Sequence, residues 1–178
     1  MEDPDLQIVA HGAFALYVLL LAAAAATDIW KFKIPNWVSA ALLLLFVPTA
    51  LLLPVEVDWL SHVGAGLSVL AVGVVLFVRG WLGAGDVKLM TAVALWTGFA
   101  YLAQFVFVVA LAGGALALLL LVLRIVIARL PAVRAAPDGG SLPRILVKGE
   151  RVPYGVAIAC GAIILGFQLP YLGLGIAA

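Results

Sequence analysis

LMTAVALWTGFAYLAQFVFVVALAGGALALLLLVL, residues Leu89 to Leu123, contains no charged side chain. As one straight helix it would be about 52 Å long, at about 1.5 Å per residue. A bilayer's hydrocarbon core is about 30 Å thick, and about 20 helical residues cross it. The stretch is therefore either one tilted helix or two helices joined by a turn. Thr97-Gly98 offers the turn.

The basic residues choose between these readings. Other charge-free stretches run from Leu6 to Thr27, Ile34 to Val55, Trp59 to Val78, and Val152 to the C-terminus, and each suits one crossing. All the lysines and arginines are Lys31, Lys33, Arg79, Lys88, Arg124, Arg129, Arg134, Arg144, Lys148 and Arg151. With two helices in the long stretch, every one of them falls at the same membrane face. Glu2, Asp3, Asp5, Glu56 and Asp58 fall at the other. A single helix would put Arg124 to Arg151 outside, against the positive-inside rule. The expected fold is thus an all-α membrane protein, a polytopic bundle of six transmembrane helices with both termini on the non-cytoplasmic side. The expected helices are roughly 6–27, 36–55, 59–78, 87–99, 101–128 and 153–175. The cytoplasmic loop, roughly 129–152, holds Pro131, Pro137, Gly139, Gly140 and Pro143 and should be irregular. Its positive charge reads as topology and attraction to anionic lipid.

Composition agrees with a bilayer as solvent. Only 11% of the 178 residues are charged and 66% are hydrophobic, where a soluble domain carries about 25% charged residues. A net charge of +1 gives no basic face for a nucleic-acid partner. The N-terminus has acidic residues where a secretory signal needs basic ones, so the first apolar stretch reads as a retained helix. Cys160 stands alone in an apolar run and reads as a small buried hydrophobe. His11 and His62 fall near the outer face, where ordinary interfacial roles are expected. No internal repeat supports a transporter of inverted halves.

Two acidic residues stand apart. Asp28 follows Ala22-Ala23-Ala24-Ala25-Ala26-Thr27, and Asp86 sits in Gly83-Ala84-Gly85-Asp86-Val87-Lys88. Both lie at helix ends near the cytoplasmic face. A carboxylate there is either a boundary charge paired with Lys31 or Lys88, or a functional group. Gly83 and Gly85 favour the second reading, because they permit positive φ and close approach of another segment. The alanine run is either a small-residue packing face or plain helix propensity. Two aspartates sharing one proton can activate water and protonate a leaving amine. No histidine cluster, cysteine nucleophile or glycine-rich phosphate loop competes, and no metal or cofactor is expected.

The segments Asp28-Ile29-Trp30-Lys31-Phe32-Lys33-Ile34-Pro35-Asn36 and Gly83-Ala84-Gly85-Asp86-Val87-Lys88 resemble the paired signatures of the type IV prepilin peptidases, which are aspartic peptidases of the Gly-x-Gly-Asp type. Pro153-Tyr154-Gly155-Val156-Ala157-Ile158 resembles a segment at that family's last helix. The resemblance implies one transmembrane peptidase domain over residues 1–178, with Asp28 and Asp86 catalytic. It implies a prepilin or pseudopilin as partner, cut behind its basic leader at the cytoplasmic side of the inner membrane. Longer members carry an N-terminal domain with paired cysteine motifs and methylate the product. Here five residues precede the first span and those cysteines are missing. The chain looks like the short, peptidase-only branch associated with Tad/Flp pili, without methyltransferase activity.

Supporting roles are expected for Gly83, Gly85, Lys88, Pro35 and Asn36. Proline suits a helix start and asparagine caps orphan amides. Lys88 either snorkels or tunes Asp86. Pro153, Tyr154 and Gly155 either bend the last helix and line the substrate path or simply start it. Two rivals stand beside the peptidase: a proton-coupled membrane carrier using the aspartates as a relay, and a non-catalytic pilus-assembly subunit.

Overall fold

The computed structural model describes residues 4–53, 56–129, 143–147 and 149–172. All regular structure among these residues is helical: α1 (Pro4–Lys31), α2 (Asn36–Leu52), α3 (Trp59–Val78), α4 (Ala84–Arg129), α5 (Tyr154–Gly166), and short 3-10 turns at Arg144–Leu146 and Pro170–Leu172. Helices α1, α3 and α4 are long and apolar enough to cross a membrane, and α2 and α5 are shorter apolar helices. Glu2, Asp3, Lys148, most of the expected loop (Leu130 to Leu142) and the last six residues lie outside the described residues.

Helix α4 is not one straight rod. Gly98 has φ 57° and ψ −177°, a backbone conformation that favours glycine. In an unbroken helix the Phe99 N–H would donate to the Leu95 carbonyl. Here the Phe99 N–H donates instead to Ser61 Oγ at 3.0 Å. His62 Nδ1 lies 2.7 Å from the Leu95 carbonyl oxygen, so that nitrogen carries the proton and donates. Consecutive residues of α3 thus satisfy both groups that the break separates, as apolar surroundings require. His62 is buried, which corrects the interfacial expectation.

The chain reverses at this break. Asp86 shares a cleft with Asp28 at the end of α1, while Trp96 lies 4.9 Å, ring to ring, from Tyr17 in the middle of α1. Residues 84–97 therefore run away from the Asp28 end. Residues 99–113 come back: Gln104 bonds to Gln168 just past α5, and Gly113 packs on Tyr154 at the start of α5. Gly155, next to Tyr154, touches Asp28.

Small residues set the helix spacing, as in other membrane bundles. A Cβ on Gly73 would lie 2.7 Å from Val87, and one on Gly161 equally close to Val109. Trp96 knits the centre: its Nε1–H donates to the Leu42 carbonyl at 3.0 Å, and its ring meets Tyr17 and Phe46. Large apolar side chains such as Leu44, Leu60 and Val72 cover the outside, where lipid is the fitting solvent. Cys160 also faces outward, contrary to the buried reading.

Several helix ends differ from the sequence expectation. Helix α1 continues past Asp28 to Lys31, because a charge at a membrane boundary does not end a helix. Helix α4 begins at Ala84, ahead of Asp86, and α5 ends at Gly166.

Candidate active site

Asp28 lies on the inward stripe of α1. Tyr17, Leu21, Ala24 and Asp28 recur at three- and four-residue spacing and are all buried, the pattern of one helix face. Asp28 is only 6% exposed. Its Oδ2 accepts the Gly155 N–H at 2.7 Å. That amide belongs to the first turn of α5, whose N-cap, Pro153, offers no side-chain cap. A carboxylate from another helix therefore satisfies one orphan donor and sits at the positive end of the α5 dipole.

Asp86 is held locally. It is the third residue of α4, and its Oδ2 accepts the N–H of Gly83, the residue before the helix, at 3.2 Å. This is the reaching-back half of a capping box. A Cβ on Gly83 would stand 2.8 Å from that same oxygen. Neither Gly83 nor Gly85 has positive φ; in this region Gly80 does, at 74°. Of the two expected uses of these glycines, positive φ is not adopted and close approach is. A Cβ on Gly85 would lie 3.1 Å from Ile34 Cβ.

Ile34 is the part of the first motif that the sequence reading left without a role. Phe32, in the left-handed region at φ 50°, turns the chain after α1 and brings Ile34 inward. Ile34 meets Gly85 on one side, and its Cδ1 would be 2.9 Å from a Cβ on Gly155 on the other. It spaces the two aspartate-bearing elements. The signal was available: one apolar residue between Lys33 and Pro35, at a position too isolated to belong to either helix.

Asn36 does not cap α2; Pro35 is the N-cap and makes no side-chain bond. Asn36 Oδ1 instead accepts from Lys88 Nζ at 2.9 Å, joining the starts of α2 and α4. Pro153 and Tyr154 start α5 without bending it.

Asp28, Asp86, Lys33, Trp81, Arg151 and Tyr154 line one cleft of about 550 Å³. Asp86 lies within electrostatic reach of both Asp28 and Arg151. On each aspartate one oxygen is tied to a backbone amide, and the other has no hydrogen-bond partner among the described residues. No three of His, Cys, Asp and Glu among those residues group closely enough to hold a metal ion. The cleft thus brings two carboxylates within electrostatic reach of one another.

An apolar helical bundle with these features is a membrane protein with a polar cleft. The family model for the type IV leader peptidase family matches residues 15–118, more than half of the chain and both aspartates. The chain belongs to the type IV leader peptidase family. No curated protein and no solved structure gives a significant match.

Proposed function

We propose that this protein is an aspartic endopeptidase that removes the basic leader from a prepilin or pseudopilin at the cytoplasmic face of the inner membrane. The observation that carries the reading is the pairing of Asp28 and Asp86 on one cleft, each with one oxygen anchored by a backbone amide.

In the reaction one carboxylate of the pair is ionised and the other protonated. The ionised group takes a proton from water, whose oxygen attacks the scissile carbonyl carbon. The protonated group donates to the carbonyl oxygen as charge builds there. When the tetrahedral intermediate collapses, the C–N bond breaks and the leaving amine takes up a proton from the pair. No ion takes part.

The proposed topology has six crossings, with α4 supplying two, one on each side of Gly98. The site then opens on the face that carries Lys31, Lys33 and Arg151, which the positive-inside rule assigns to the cytoplasm. In this reading the product leaves with an unmethylated N-terminus, as the resemblance to the short, peptidase-only branch implies. A leader-removal assay tests the whole reading: purified enzyme in liposomes, with a basic-leader prepilin and mass analysis of the product. Wild-type protein should yield the shortened, unmethylated chain. An intact substrate with wild-type enzyme would overturn the proposal.

A further inference from the structure

Arg124 lies outside the stretch that matches the family and far along α4 from Asp86. It is eleven residues beyond Gly113, the level at which α4 meets Tyr154, or roughly 16 Å along a helix. A basic residue here reads from sequence as a boundary charge facing lipid headgroups. The structure turns it inward. Arg124 Nε and Nη2 donate to the Ile145 carbonyl at 3.0 and 2.9 Å, Nη1 donates to the Glu150 carbonyl at 2.9 Å, and Nη2 reaches the Arg151 carbonyl at 3.3 Å. One guanidinium gathers three backbone carbonyls of the segment that returns from the loop to α5.

That segment leads directly into the cleft. Arg151 and Tyr154 line it, and the Gly155 N–H holds Asp28. We propose that Arg124 is a positioning residue: by clamping Ile145, Glu150 and Arg151 against α4 it sets where α5 begins, and so places the Gly155 amide on Asp28 and the Arg151 side chain beside Asp86. The chemistry suits arginine. Its planar fork presents five N–H donors in fixed directions, whereas lysine offers a single mobile ammonium. The inference also gives the far end of α4 a purpose, since a helix ending at the level of Tyr154 would not carry Arg124.

The inference rests on the peptidase reading for its activity readout, so the test has two arms. Arg124→Lys keeps the boundary charge and loses the fork; Arg124→Ala loses both. In single-turnover leader removal with enzyme in excess, the rate is compared at equal concentrations of folded enzyme, measured by size-exclusion chromatography, so that a folding defect and misplacement are read separately. Displacements of about 1 Å can cost ~100-fold. Arg124→Lys should cleave at a rate at least ~10-fold below wild type, and Arg124→Ala should be slower still. In the second arm, amide hydrogen exchange over residues 150–156 should quicken at least ~10-fold in Arg124→Lys, while residues 158–165 inside α5 keep their protection. Unchanged rate or unchanged exchange in Arg124→Lys overturns the inference. Wild-type enzyme that removes no leader overturns the peptidase reading, and the exchange arm alone then decides the clamp.

Discussion

The two aspartates reach the same cleft by opposite routes. Asp86 is anchored by an amide three residues away, within the turn that starts its own helix. Asp28 is anchored by an amide 127 residues away, across a helix packing interface. The first geometry forms whenever α4 starts. The second forms only when α5 has docked. One half of the site should therefore tolerate remote change, and the other half should report on it.

The largest effect breaks the chemistry on either side. Asp28→Asn and Asp86→Asn should each lower leader cleavage at least ~100-fold, the usual scale for losing a general acid or base. Membrane insertion should be intact, as checked by yield and by membrane extraction. The next effect separates the two halves. A methyl on Gly155 meets Asp28 Oδ2 at 2.8 Å and Ile34 Cδ1 at 2.9 Å, with little room to move. Gly155→Ala should cost ~100-fold in single-turnover rate. Gly83→Ala meets only the movable end of Asp86 and should cost ~10-fold, or about 1.4 kcal/mol in the barrier. Gly12→Ala, with nothing within 4 Å, is the control. Equal losses at Gly155 and Gly83 would erase the distinction between a docked and a local anchor.

A third change probes the scaffold alone. Gly98→Ala forces a left-handed φ on a residue with a side chain and crowds Ser61 and His62 at 3.2 Å. It should cost about 1–3 kcal/mol of stability, seen as a lower unfolding midpoint in detergent. Cleavage at a permissive temperature should change by less than ~3-fold, because the residues that anchor the aspartates lie at the other end of the helices. The smallest effect is none: chelators should leave the rate unchanged, since paired carboxylates activate water without an ion. Loss with a chelator and recovery with zinc would point to a metallopeptidase.

What was legible in the sequence follows the same division. Both motifs were readable because their residues are neighbours, and the type IV leader peptidase family follows from them. The reversal at Thr97-Gly98 was readable because its charge-free stretch is long for one crossing and the basic residues share one face only if the chain turns there. Contacts between distant segments were not readable: Gly155 with Asp28, Arg124 with the loop carbonyls, and Ser61-His62 with the broken helix. Their residues look ordinary in isolation. Glycine at a helix start, arginine at a membrane boundary and histidine near an interface each have a sufficient local explanation, and only packing shows the other one. The expected positive φ at Gly83 and Gly85 failed for a related reason. Composition shows that a glycine is needed, but not whether its freedom or its small size is used.

The central claim is that Asp28 and Asp86 work as one unit, and a double-mutant cycle tests it most directly. Single-turnover leader removal would be measured for wild type, Asp28→Asn, Asp86→Asn and the double variant. Groups that act together lose their whole effect when either is removed. The double variant should therefore match each single variant within ~3-fold. Losses that multiply, or a single variant that cleaves at the wild-type rate, would contradict the claim.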